Sequence, residues 1–167
     1  MHYDEPPLDG LRVWLESTAV SQFVNWSPWA WPVLECLHFV GLSVLFGTVV
    51  LFDLRLLGLV REVPPQVVAR LVPWGIGGFC LSAVTGALFF TGIPGMYLNN
   101  PAFWTKCVCL LLAGLNVLVY TLFLRSRVES TPAHRPLPRL AAVVGVVSLV
   151  LWIAVLASGR LIGFFKP

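Results

Sequence analysis

WPVLECLHFVGLSVLFG, residues 31–47, decides how this chain is read. It opens an apolar run long enough to cross a bilayer, yet it contains Glu35 and His38. Ionisable side chains inside a membrane are expensive and by default mark a functional site. The rest of the sequence fixes the environment. Of 167 residues, 57% are hydrophobic and 11% charged, and the mean hydropathy is +0.84. A water-soluble domain of this size is far more polar. Four segments, 32–52, 74–94, 102–124 and 140–162, reach the roughly 20 residues that a spanning helix needs. The runs are continuous and much longer than a barrel strand, which excludes a transmembrane β-barrel. The expectation is all-α: an integral membrane four-helix bundle over 31–167, preceded by an extracytoplasmic segment, 1–30, that carries a short amphipathic surface helix.

That segment begins MHYDEPPLDG, acidic and proline-rich where a cleavable signal would be basic and then apolar, so the first span is expected to insert uncleaved. Residues 11–24, LRVWLESTAVSQFV, place Leu11, Trp14, Leu15 and Phe23 near one side of a helix lying on the membrane. Trp26, Trp29 and Trp31 follow as an aromatic belt. Arg55, Arg61 and Arg70 follow the first span, and Arg125, Arg127, Arg135 and Arg139 follow the third. The opposite side holds Arg12, Lys106, Arg160 and Lys166 beside Asp4, Glu5, Asp9 and Glu16. Seven basic residues against four place both loops in the cytoplasm and both termini outside, in a bacterial inner membrane, with Asp53 and Arg55 marking the cytoplasmic face. The net charge of +3 is then a topology signal, and no nucleic-acid partner is expected. Cys36, Cys80, Cys107 and Cys109 fall within spans, where thiols act mostly as small apolar fillers.

His38 lies six residues past Pro32, about 9 Å into the outer leaflet. Glu35 precedes it on nearly the same face. Lys106 opens the third span and Arg160 closes the fourth, so the titratable groups are expected to gather in one leaflet. Lys106, Cys109, Ala113, Asn116 and Tyr120 share an inward face of the third span, and Gly145, Ser148, Trp152 and Gly159 one of the fourth. Gly75, Gly78, Ser82 and Gly86 form a small-residue stripe on the second, which ordinarily lets helices approach closely. A b-type haem would take His38 on iron, the small stripes against the macrocycle, and Lys106 and Arg160 at its propionates. Asn116 and Trp152 complete this candidate set. A second axial ligand is missing, because His2 and His134 fall outside the spans; a five-coordinate iron, a ligand from another subunit, or no haem at all remain open. A quinone asks only for a donor and a proton-moving carboxylate, which His38 and Glu35 supply. Copper would use His38 with Cys109, Cys36 or Met96, soft ligands without a metal-site spacing. Glu35 and His38 also spell a Glu-x-x-His element, but a di-iron bundle needs two of them and this chain has one.

In ECLHFVGLSVLFGTVVLFDLRLLG, NPAFWTKCVCLLLAGLN and SLVLWIAVLASGRLIGFF, the chain resembles an uncharacterised family of small bacterial four-helix membrane proteins, a domain of unknown function. The likeness covers nearly everything from Trp31 onward and implies no assigned activity. The third-span pattern also looks like the copper-resistance D-type membrane domain and, more loosely, the membrane b-type cytochromes, which would imply copper or haem handling in the outer leaflet. The leading expectation is a non-enzymatic membrane subunit of a redox assembly with a haem b or quinone site around His38. The alternatives are a ligand-free accessory subunit of a larger complex and a copper-handling protein. Other membrane subunits, in a homo- or hetero-oligomer, are the expected partners beside lipid. No nucleophile and base pair, phosphate loop or complete metal motif points to catalysis by the chain alone.

Overall fold

The computed structural model describes residues 8–132 and 135–165. His2, Asp4, Glu5, His134 and Lys166, used in the topology and ligand arguments, lie outside them. The described residues form α1 (Asp9–Glu16), α2 (Ala19–Trp26), α3 (Ala30–Leu56), α4 (Pro65–Ala69), α5 (Val72–Gly92), α6 (Pro94–Leu98) and α7 (Pro101–Val119). α7 continues through a π-helical turn (Tyr120–Leu124) into α8 (Arg125–Glu129), and α9 (Arg139–Leu161) follows. No strand occurs among them. α3, α5, α7 and α9 are the long apolar helices, each able to cross a membrane by length and composition.

The helix ends follow local chemistry. Proline sits in the first turn of α3, α5 and α7, where a missing N–H is harmless. Asn100 caps α7 by accepting from the Ala102 N–H at 3.0 Å. α3 ends at Gly58, whose φ of 75° suits only glycine well. There the Leu59 N–H donates to Leu54 O at 3.0 Å and the Gly58 N–H to Arg55 O at 3.1 Å. α3 therefore runs a full turn past the residue that sequence placed at its end.

The surface helix is two helices. Ser17 and Thr18 break it, with Thr18 extended and its hydroxyl accepting from the Ser21 N–H at 3.2 Å. The break puts Leu11, Trp14 and Leu15 on α1 and Phe23 on α2; Leu15 is buried, and Leu11, Trp14 and Phe23 are exposed. α2 instead docks through Val24 and Ser21, and the Gly92 carbonyl accepts from Asn25 Nδ2 at 2.7 Å and Ser21 Oγ at 3.3 Å.

The long helices pack in the order α5, α3, α9, α7. α5 and α7 make no comparable contact, so the bundle stays open along one side. Small residues set the close pairs. A Cβ on Gly78 would lie 2.6 Å from Gly41 O and 2.8 Å from the Leu45 nitrogen, so the α3 and α5 backbones touch. On α9, a Cβ on Gly145 would lie 3.2 Å from Asp53 O.

Candidate functional site

The half of the bundle around His38 gathers fewer charges than sequence suggested. His38 is half-buried, and its Nδ1 lies 2.7 Å from Thr85 Oγ1 on α5. With the one Thr85 hydroxyl proton assigned to Leu81 O at 2.8 Å or Ser82 O at 3.2 Å, the hydroxyl accepts from the ring. In the neutral imidazole the proton therefore sits on Nδ1. The Phe89 ring packs edge-on against His38, with centroids 5.8 Å apart. Lys106 is within electrostatic reach of the ring, and its ammonium lies beside Gly159. Glu35 is exposed, and so is Arg160, whose guanidinium lies 5.7 Å from the Phe164 ring centroid. Glu35 lies in the second turn of α3, and Arg160 in the last turn of α9, where a long side chain can reach the headgroups. Of the three other groups expected around His38, Lys106 is the one whose charge reaches the ring.

The parts proposed for a haem do not assemble around His38. The Gly75, Gly78 and Ser82 stripe is buried against α3, which occupies the slot a flat ring would need. Asn116 and Trp152 lie deeper, toward the middle of the bundle. Cys36 is exposed, and among the described residues no three His, Cys, Asp or Glu side chains come together as a metal site.

A different place collects the inward faces. A cavity of about 550 Å³ lies between α3, α5, α7 and α9 toward the arginine-rich end. On α3 its lining starts at Leu45, seven residues or about 10 Å beyond His38. Ile76 of α5 and Val117 of α7 form its two rims and are 58% and 54% exposed, so it opens sideways where those helices fail to meet. At the water end it is strapped: Gln66 Nε2 of α4 donates to Glu129 O at 2.6 Å, and Arg125 pairs with Glu129 at 3.0 Å.

Asp53 stands in its wall, only 3% exposed, and its Oδ2 is buried with no hydrogen-bond partner among the described residues. Ser148, across on α9, is the described side chain that hydrogen-bonds the carboxyl. Asn116 is held by donating to Val144 O at 3.0 Å. The Trp152 indole N–H and the Tyr120 hydroxyl, also on the lining, donate to no described residue. Tyr120 packs edge-on against Phe52 at 4.9 Å and begins the π-helical turn, an irregularity often found at functional sites. An unpaired buried carboxylate is strongly unfavourable unless something else meets it.

Sequence reasoning read Asp53 and Arg55 as markers of the membrane surface. Both are buried, Arg55 with its Nε donating to Val63 O at 2.7 Å. The available signal was the glycine after Leu57: a helix that runs to it keeps Asp53 inside the bundle, opposite the Gly145–Ser148 face.

These features define a membrane-embedded helical protein with a side-opening cavity around one buried acid. Residues 32–165 match the family described as "Family of unknown function (DUF6644)", and the chain belongs to it. That match lends nothing to the likeness with copper-resistance D-type or b-type cytochrome domains. No curated protein and no solved structure matches the chain.

Proposed function

We propose that this protein is a non-enzymatic subunit of a redox assembly in a bacterial inner membrane. It takes a lipid-soluble ligand sideways from the bilayer into the cavity between α3, α5, α7 and α9, its arginine-rich end toward the cytoplasm. The buried Asp53 carboxyl, whose Oδ2 has no hydrogen-bond partner among the described residues, in a mostly apolar cavity carries this reading. Volume and lining fall within the range of small-molecule sites, roughly 300–1,000 Å³ with a few placed polar groups. A quinol fits the chemistry: one hydroxyl donates to Asp53, and the Trp152 N–H and Tyr120 hydroxyl remain for its oxygens. The quinone expected at His38 thus moves to the opposite half of the bundle, and His38 becomes the pin between α3 and α5.

The aromatic lining favours a second reading, a lipophilic organic cation. Phe52, Phe79, Tyr120 and Trp152 surround the site, and its two carboxyls, Asp53 and Glu129, outnumber the one Arg125 guanidinium.

Gly114 lies on the lining, and a Cβ there meets nothing within 4 Å, so Gly114→Trp fills the cavity without a clash at its base. Equilibrium binding in nanodiscs is measured with radiolabelled decylubiquinol and with tetraphenylphosphonium. Wild-type protein should retain decylubiquinol, and Gly114→Trp should lose it. Retention of the phosphonium alone would replace the quinol with the cation. Retention of neither probe, or retention unchanged by Gly114→Trp, would refute the cavity as a binding site.

A further inference from the structure

A second pocket, of about 140 Å³, lies outside the cavity at the same end of the bundle. Arg55, Arg61, Arg135 and Arg139 all line it, and among the described residues no carboxylate does. They come from four places: the end of α3, the loop after it, the segment before α9 and the first residue of α9. Local structure aims them there. Gly58 turns the chain so that Arg61 Nε donates to Gly58 O at 2.9 Å, and Arg55 is fixed by Val63 O. The positive charges of Arg55 and Arg61 act on each other. α9 begins at the pocket, and its N-terminal end adds the partial positive charge of a 23-residue helix.

Arginines that merely set topology gain by spreading into water. Four that line one concave surface, three of them exposed, instead present several guanidinium groups to the same small volume. The planar guanidinium fork suits phosphate oxygens, which it can hold bidentately. Basic pockets between spanning helices at this depth bind phospholipid headgroups elsewhere.

The geometry points to a phosphate-binding site formed by Arg55, Arg61, Arg135 and Arg139 at the start of α9, separate from the cavity. A phosphodiester of an anionic phospholipid and a free phosphate offer the same chemistry, and the test separates them. Arg61 and Arg139 are exposed, so replacing them disturbs little packing; Arg127 is an exposed arginine of the same end that does not line the pocket. Native mass spectrometry of the full chain is used to titrate dioleoylphosphatidylglycerol, dioleoylphosphatidylcholine and inorganic phosphate. Phosphatidylglycerol should bind well above phosphatidylcholine. The double variant Arg61→Gln/Arg139→Gln should bind it roughly thirtyfold more weakly, and Arg127→Gln should bind as wild type does. Phosphate binding with the same arginine dependence but no lipid preference would assign the site to a free anion. An equal loss in Arg127→Gln shows diffuse attraction and overturns the proposal, as does indifference of every variant to both anions. Each result is independent of whether the cavity holds a quinol.

Discussion

Gly78→Ala tests the contact on which the upper half of the bundle rests. The new methyl would lie 2.6 Å from Gly41 O and 2.8 Å from the Leu45 nitrogen, and both are backbone atoms that cannot swing aside. Reaching even 3.0 Å from Gly41 O requires α3 and α5 to part by about 0.4 Å. Overpacking of this kind costs about 1–3 kcal/mol, roughly a 5- to 150-fold shift toward the unfolded form. The separation also stretches the 2.7 Å bond between His38 and Thr85. Gly77 provides the control, since it is the preceding residue of α5 and a Cβ there meets nothing within 4 Å. Gly77→Ala should be neutral or stabilising, because alanine is the better helix former by about 0.8–1 kcal/mol. The assay is unfolding by sodium dodecyl sulfate in mixed micelles, followed by circular dichroism. Equal midpoints for the two variants would show that α3 and α5 do not pack backbone to backbone. The space beside His38 would then be open again to a flat cofactor.

Three further outcomes are expected. A double-mutant cycle of His38→Ala and Thr85→Val should give a coupling of about 0.6 kcal/mol, and no more than about 1.7, as for other hydrogen bonds between membrane helices; loss of a visible chromophore in His38→Ala would instead restore the haem reading. Nitrogen NMR of the neutral His38 ring should find the proton on Nδ1, and an Nε2–H form would contradict the bond accepted by Thr85. Asn100→Ala removes bonds to Ile162 O at 3.0 Å and Phe165 O at 2.9 Å together with the α7 cap. It should destabilise by about 1–3 kcal/mol, with hydrogen exchange rising first at the end of α9; uniform protection there would refute the role assigned to Asn100.

The sequence by itself determined the class and the number of spans. Bilayer thickness fixes how many apolar residues a span needs, and proline, glycine and arginine punctuate the ends, so the runs at 74–94 and 140–162 could be read nearly directly into α5 and α9, while α3 runs a turn past 32–52. Helical spacing also showed which faces turn inward: Ala113 and Asn116 on α7, and Gly145, Ser148 and Trp152 on α9. What it could not determine was which helices become neighbours. The polar groups around His38 look like a cluster when each is ranked by depth alone, yet Glu35 and Arg160 are exposed, Arg160 against the Phe164 ring. Only the packing order α5, α3, α9, α7 decides that the cavity opens where α5 and α7 fail to meet. The same order carries Asp53, by sequence an unremarkable charge at the end of a span, into the interior beside Ser148. Depth is a property of one helix and is written along it. A pocket is a property of rotation and neighbour choice, set by glycines on different helices meeting face to face.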